Sequence, residues 1–344
     1  MIKHLAVIGT LAAALTAPVV ATADPIAEFY KAKKMSIVIG QSPGGSYDSY
    51  GRMIGRHMGK YLPGNPVFVS QNMTGAGGRT ATAWMYNIAP KDGTALAVIS
   101  QTIPMDQVVH NIPSTQFDAR QFNWIGNPFR SNNVLAVWHT SGVRTIEDAK
   151  QREVAIGGTG PTSPDTLYPR VSNAMFGTKF KIIPGYAGGS EIDLAMERGE
   201  VGGRGSNSWQ SMKETNWVAE KKLYVLFQIG AQREPDLSTV PLLTDLARNA
   251  DDRVMLEFIS SSLAMGRPLL TTPAVPPERV GALRRAFDST MKDADFLREA
   301  RNQNLDVTPV SGEALQALVE RTIATPPTIV ARVRELMQIK AEAK

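Results

Sequence analysis

Four short stretches of the chain set glycines beside hydroxyl or phenol side chains. They are Gly40-Gln-Ser-Pro-Gly-Gly-Ser46, Asn72-Met-Thr-Gly-Ala-Gly-Gly78, Gly157-Gly-Thr-Gly-Pro-Thr-Ser163 and Gly185-Tyr-Ala-Gly-Gly189. A glycine has no Cβ, so the backbone there can approach a ligand closely. Each stretch lies between an apolar run and a helical pattern. A helix start leaves about four N–H groups unpaired, and the aligned peptide dipoles add positive potential. Such a turn accepts an anion without a charged side chain. The first two turns offer the backbone of Gly44, Gly45 and Ser46, the Ser46 hydroxyl, and the backbone of Thr74, Gly75, Ala76, Gly77 and Gly78. The later two offer the hydroxyls of Thr159 and Ser163 and the backbone of Gly158, Gly160, Gly188 and Gly189. Tyr47 and Tyr186 stand in these turns, where a ring could pack on an aromatic ligand. One such turn reads as strand-to-helix geometry; four in two halves read as a shared binding cleft. Asp48 suits a helix start by its charge and is expected to complement the dipole rather than touch ligand.

Little else in the chain could do chemistry. The four histidines are His4, His57, His110 and His139, with no H-E-x-x-H spacing among them. No G-x-S-x-G nucleophile elbow is present. The absence of cysteine removes thiol nucleophiles, thiolate metal sites and disulfides. No catalytic residue, metal or cofactor is expected, and the chain reads as a binding protein rather than an enzyme. The net charge of +5 is spread, with basic pairs only, so no nucleic-acid partner is expected. Phosphate or sulfate remains a physically reasonable alternative ligand, because helix starts suit those anions too.

The turns need elements to position them. An apolar strand, a Gly-rich turn and an amphipathic helix recur four times. Met35 to Ile39, Val67 to Val69, Val154 to Ile156 and Lys181 to Ile183 are the strand runs. After the first turn, Tyr50, Met53, Ile54, His57, Met58 and Tyr61 share one helical side. After the second, Ala81, Trp84, Met85 and Ile88 form the expected buried stripe. Alternating strands and helices predict an α/β fold with mostly parallel sheets flanked by helices. At 344 residues the chain suits two lobes. The expected division is 24–124 with 226–344 as lobe one and 125–225 as lobe two. The hinge is expected near 122–138 and 223–230. Helical patterns at 312–323 and 328–339 are assigned to lobe one. Trp209 reads equally as core or cleft edge.

Lys3, the apolar run from Leu5 to Leu15 and the small-x-small Ala21-Thr-Ala23 predict a secretory signal cleaved after Ala23. That run is too short for a membrane span. The mature chain is expected in the periplasm, as a monomer.

These motifs, in their order and spacing, resemble the substrate-binding receptors of tripartite tricarboxylate transporters, also called the Bug family. The resemblance rests on Pro43-Gly-Gly-Ser-Tyr-Asp48, Tyr61-Leu-Pro-Gly-Asn-Pro66, Asn72-Met-Thr-Gly-Ala-Gly-Gly78 and Ala89-Pro-Lys-Asp-Gly93. It continues with Phe122-Asn-Trp-Ile-Gly126, Gly158-Thr-Gly-Pro-Thr-Ser-Pro164 and Pro184-Gly-Tyr-Ala-Gly-Gly189, over nearly the whole mature chain. It implies a two-lobed periplasmic binding protein of type II-like, Venus-flytrap form that captures a small carboxylate. One carboxylate would be held by the turns at Gly44 to Ser46 and Thr74 to Gly78, partly through waters. Thr159, Ser163 and Tyr186 would contribute to ligand choice. The partners implied are one large and one small membrane transporter subunit; a ligand-sensing receptor for a membrane signalling partner is the alternative. The chain departs from the family pattern at Gly199-Glu-Val-Gly-Gly-Arg-Gly-Ser-Asn207, where two acidic positions have become Gly202 and Ser206. That argues against an amino-acid ligand. Arg204 is expected to face the cleft near Asn207 and pair with a second carboxylate, favouring a dicarboxylate or an aromatic acid.

Overall fold

The apolar runs become strands of two mixed sheets. The computed structural model describes residues 24–336 apart from Ala32, Ser42, Thr115, Ser131, 159–162, Ala187, Gly188 and Glu214. The signal segment with its cleavage point, Thr159, Gly160 and Gly188 therefore lie outside the described residues. The strands are β1 (Lys34–Ile39), β2 (Val67–Asn72), β3 (Ala95–Val98), β4 (Asn123–Asn127), β5 (Asn133–Trp138), β6 (Val154–Gly158), β7 (Phe180–Pro184), β8 (Gly203–Ser208), β9 (Leu223–Ile229), β10 (Leu269–Thr271) and β11 (Val310–Ser311). The first sheet has the order β11-β4-β10-β3-β1-β2 and the second β7-β6-β8-β5-β9.

In the first sheet β1 is parallel to both β2 and β3, so the turns after these three strands leave at one edge. β10 enters antiparallel between β3 and β4, with Leu269 opposite Val98 and Gly126. The start of β10 therefore lies at that same edge. The strand β1, between β3 and β2, buries Met35, Ile37, Val38 and Ile39. The edge strand β2 exposes Val67 and Val69. In the second sheet β6 is parallel to β7 and β8, while β5 runs antiparallel to β8 and β9.

Helices follow the strands as the periodicity predicts. Ser46–His57 starts from Gly45, buries Tyr50, Met53 and Ile54, and passes into a 3-10 turn that buries Met58. The second helix, Arg79–Asn87, buries Ala81 and Met85 but leaves Ile88 70% exposed, because Ile88 caps the helix instead of continuing its stripe.

The chain leaves the first sheet after β4 and enters the second at β5. The apolar run 223–229, read as a passage back, is β9, an outer strand of the second sheet; the expected 225/226 boundary falls inside it. The helix Ala250–Met265 still packs in one hydrophobic cluster with Leu135, Val137 and Ile156 of the second sheet. The chain rejoins the first sheet at β10, after Gly266, Arg267 and Pro268. The helix Gly312–Ile323 buries Leu315 and Val319 against the first sheet. Pro327–Leu336 instead joins the second sheet's cluster through Ile329, Val330 and Val333. Met105 and Val109, from the helix Ile103–Val109 after β3, belong to that cluster too.

Candidate functional site

The parallel core of the first sheet delivers the first two turns to one place. Asp48 fastens them together. Its Oδ2 accepts from the Gly44 amide at 3.0 Å, and its Oδ1 accepts from Arg52 Nε and Asn72 Nδ2, each at 2.9 Å. Asn72, the last residue of β2, also donates to the Gln41 carbonyl at 2.9 Å and accepts from Arg52 Nη2 at 2.6 Å. Burial opposes ionisation of Asp48. Hydrogen bonds from Arg52, Gly44 and Asn72 outweigh it and hold the carboxyl below the usual range. The Gly44 amide, one of the expected ligand donors, is thus engaged inside the protein. Gly45, Ser46 and Tyr47 form the helix start. On the second turn, Gly75 to Gly78 carry a 3-10 turn into the helix Arg79–Asn87, and Gly78 closes against Ser100 and Gln41.

Tyr47 lies inward, where burial raises its phenol pKa. Its oxygen accepts from the Gln101 amide at 3.2 Å and donates to the Gly266 carbonyl at 3.5 Å. That ties the first turn to the segments after β3 and before β10. The same geometry brings in Arg267, which sequence reasoning did not single out. Its Nε donates to Ser46 Oγ at 3.0 Å and its Nη1 to Gln101 Oε1 at 3.4 Å. The guanidinium carbon sits 4.9 Å from the centre of the Tyr47 ring and 5.5 Å from that of Phe129. Tyr50 stacks on the Phe129 ring. The Arg267 amide is held by Asn127 Oδ1 at 2.8 Å, which also accepts from the Phe129 amide at 3.1 Å. Gly266 is required here. It has φ of 63°, and a Cβ would fall 2.0 Å from the Phe129 carbonyl oxygen.

The second sheet gathers its own set. The Tyr186 amide reaches the Gly158 carbonyl at 3.4 Å, linking the third and fourth turns. Tyr186 is half-buried against Ile192 and its neighbours, and burial raises its phenol pKa. Ser163 precedes the helix Pro164–Phe176, and its hydroxyl bonds Asp165. Asn207 sits in β8 opposite Val134 of β5. Arg204, also in β8, already holds a carboxylate. Its Nη1 donates to both oxygens of Asp193, at 2.7 and 2.8 Å. The side chain is 13% exposed, its Nε is buried without an acceptor among the described residues, and its Nη2 lies 1.9 Å from where a Gly189 Cβ would stand. Gly189 therefore admits the guanidinium against the fourth turn. Trp209 is core: 4% exposed, with Nε1 donating to Asp236 at 2.9 Å.

No group of three His, Cys, Asp or Glu able to hold a metal occurs among the described residues, and no helix among them is long and apolar enough to cross a membrane. His57 lies 2.7 Å from Glu299 and edge-on to Phe296.

No curated protein sequence matches the chain. By structure it is similar to a TctC solute-binding protein from Polaromonas, 22% identical with a TM-score of 0.70, over 89% of this chain and 98% of that one. A Rhodopseudomonas palustris protein solved with adipate is 18% identical, TM-score 0.55, over 89% and 97%. MatC from the same organism, with bound malate, is 17% identical, TM-score 0.54, over 88% and 98%. The two mixed sheets with flanking helices are thus the two lobes of a periplasmic binding protein fold. Residues 50–334 match the profile described as the tripartite tricarboxylate transporter family receptor, TctC, and the chain belongs to that family.

Proposed function

We propose that this chain captures a small carboxylate between its two lobes, outside the cytoplasm after cleavage behind Ala23, and presents it to the large and small membrane subunits of a transporter. The observation that carries the reading is the convergence of two Gly-rich turns, the Ser46–His57 helix start and the Ser46 hydroxyl at one sheet edge. Lobe one would comprise 24–127 and 269–323, and lobe two 133–265. One carboxylate meets Gly45, Ser46 and the Thr74 to Gly78 turn. Ser163, Tyr186, Asn207 and the neighbouring third and fourth turns meet the rest of the ligand. A dicarboxylate is favoured, and adipate and malate in two structural neighbours support that choice. Arg204 contributes by sharing its charge between Asp193 and a second ligand carboxylate; an aromatic acid is the next choice, with Tyr186 as the packing ring.

The test is a thermal-shift screen of residues 24–344 against mono-, di- and tricarboxylates, aromatic acids, amino acids, phosphate and sulfate. A ligand at 100 times its dissociation constant stabilises the native state by about 2.7 kcal/mol. A response confined to carboxylates supports the reading. A response to phosphate or sulfate alone overturns the ligand class and leaves the fold intact.

A further inference from the structure

Arg267 differs from Arg52, Arg204 and Arg284. Arg52 faces Asp48, Arg204 faces Asp193 and Arg284 faces Glu313. Arg267 bonds only neutral side chains among the described residues, Ser46 through Nε and Gln101 through Nη1. Aromatic rings hold its charge in place of an acid. Ring quadrupoles attract a cation but leave its net charge uncompensated. A partly buried cation loses hydration, and a paired anion is what offsets that loss.

The fork is also aimed by its partners. A guanidinium presents five N–H donors in one plane and accepts nothing. Nε and Nη1 are spent on Ser46 and Gln101, and among the described residues Nη2 has no acceptor, which leaves it for a ligand. Ser46 Oγ accepts from Nε, so its own proton is left to donate. The backbone is fixed as well, through the Arg267 amide to Asn127. A fork edge and a hydroxyl donor thus stand together at the carboxyl edge of the first sheet.

We propose that Arg267 is the charged contact for the ligand's carboxylate, and that it makes the site choose ionised acids over their neutral amides. The inference rests on the carboxylate reading above and adds a residue and a selectivity to it.

The test is calorimetric titration of residues 24–344, wild type and Arg267→Gln. The probes are adipate, malate, benzoate and terephthalate, plus any acid that responds in the screen, each beside its amide. Wild type is expected to prefer acid over amide. Arg267→Gln is expected to bind acids about 10- to 100-fold more weakly, as loss of a charge-assisted bond implies, and to lose much less affinity for amides, whose bond to Arg267 carries no anion. The acid-to-amide ratio then collapses, which a merely structural role would not produce. An unchanged ratio in Arg267→Gln overturns the inference while the carboxylate reading stands. If no acid binds wild type, the carboxylate reading fails and this inference falls with it. Should Arg267→Gln not fold, Arg267→Lys decides: weaker acid binding with the preference kept supports the inference, and unchanged acid affinity overturns it.

Discussion

Asp48 offers a sharp test of how the first turn is held, because it shapes the site from behind. In Asp48→Asn the side chain keeps one oxygen but loses its charge and the acceptor facing the Gly44 amide. Loss of that bond costs about 1–1.5 kcal/mol. The Arg52 pair adds less than about 1 kcal/mol, since Arg52 is 39% exposed and solvent screens it. A total near 2 kcal/mol is expected at pH 7, read by urea unfolding. The pH dependence then checks the cause. The folded pKa of Asp48 lies below its unfolded value, so its contribution is present above the unfolded value of about 4 and lost as pH falls through the folded one. The gap between wild type and Asp48→Asn should therefore narrow below about pH 4. Carboxylate affinity should weaken too, although Asp48 is not expected to touch ligand. An unchanged stability gap at pH 3 would refute the claim that ionised Asp48 braces the turn.

Gly266→Ala should destabilise by about 2–4 kcal/mol, since it combines positive φ with overlap on the Phe129 carbonyl, and calorimetric melting will read it. Asp193→Asn strips Arg204 of its carboxylate and should cost about 2–3 kcal/mol. Adding Arg204→Gln should recover about 1 kcal/mol or more in a double-mutant cycle; strict additivity would show that the pair is not coupled. Burial raises the phenols of Tyr30, Tyr50 and Tyr168 well above their usual value. Their stabilising contribution is present below about pH 10 and lost as pH climbs toward the folded values, so ultraviolet titration should show them ionising late or only with unfolding.

The strand–turn–helix repeat was legible because each unit is local: apolar run, glycines and helical stripe follow within about 25 residues. The two sheets follow from it, as does the meeting of the first two turns. What escaped depends on distant pairing. Arg267 lies in Met265-Gly-Arg-Pro268, and nothing local says that β10 will insert between β3 and β4 and carry it to the first turn. A glycine and a proline bracketing an arginine after a long helix was the one available signal. The run 223–229 is β-rich enough to be a crossing, and only its pairing with β5 shows otherwise. Gln228, fully buried within it, is satisfied by the Leu237 and Val240 carbonyls, which sequence alone does not reveal. Arg204 was visible as an oddity, but its pairing with Asp193 depends on a helix laid across the sheet.

After the helix Ile103–Val109, which carries Met105 and Val109 to the second sheet's core before the chain returns, three further links join the two cores: Pro128 to Asn132, Gly266 to Pro268, and Ala324 to Pro326. Every one of these links contains a proline, which fixes its own φ and restricts the residue before it. Mechanically, that removes compliance. Within these links the residues bound by proline are restricted most, and Gly266, without a Cβ, keeps the widest backbone range. Arg267, with Pro268 behind it and Asn127 beside it, is fixed to the first sheet, while most of the helix before it packs on the second.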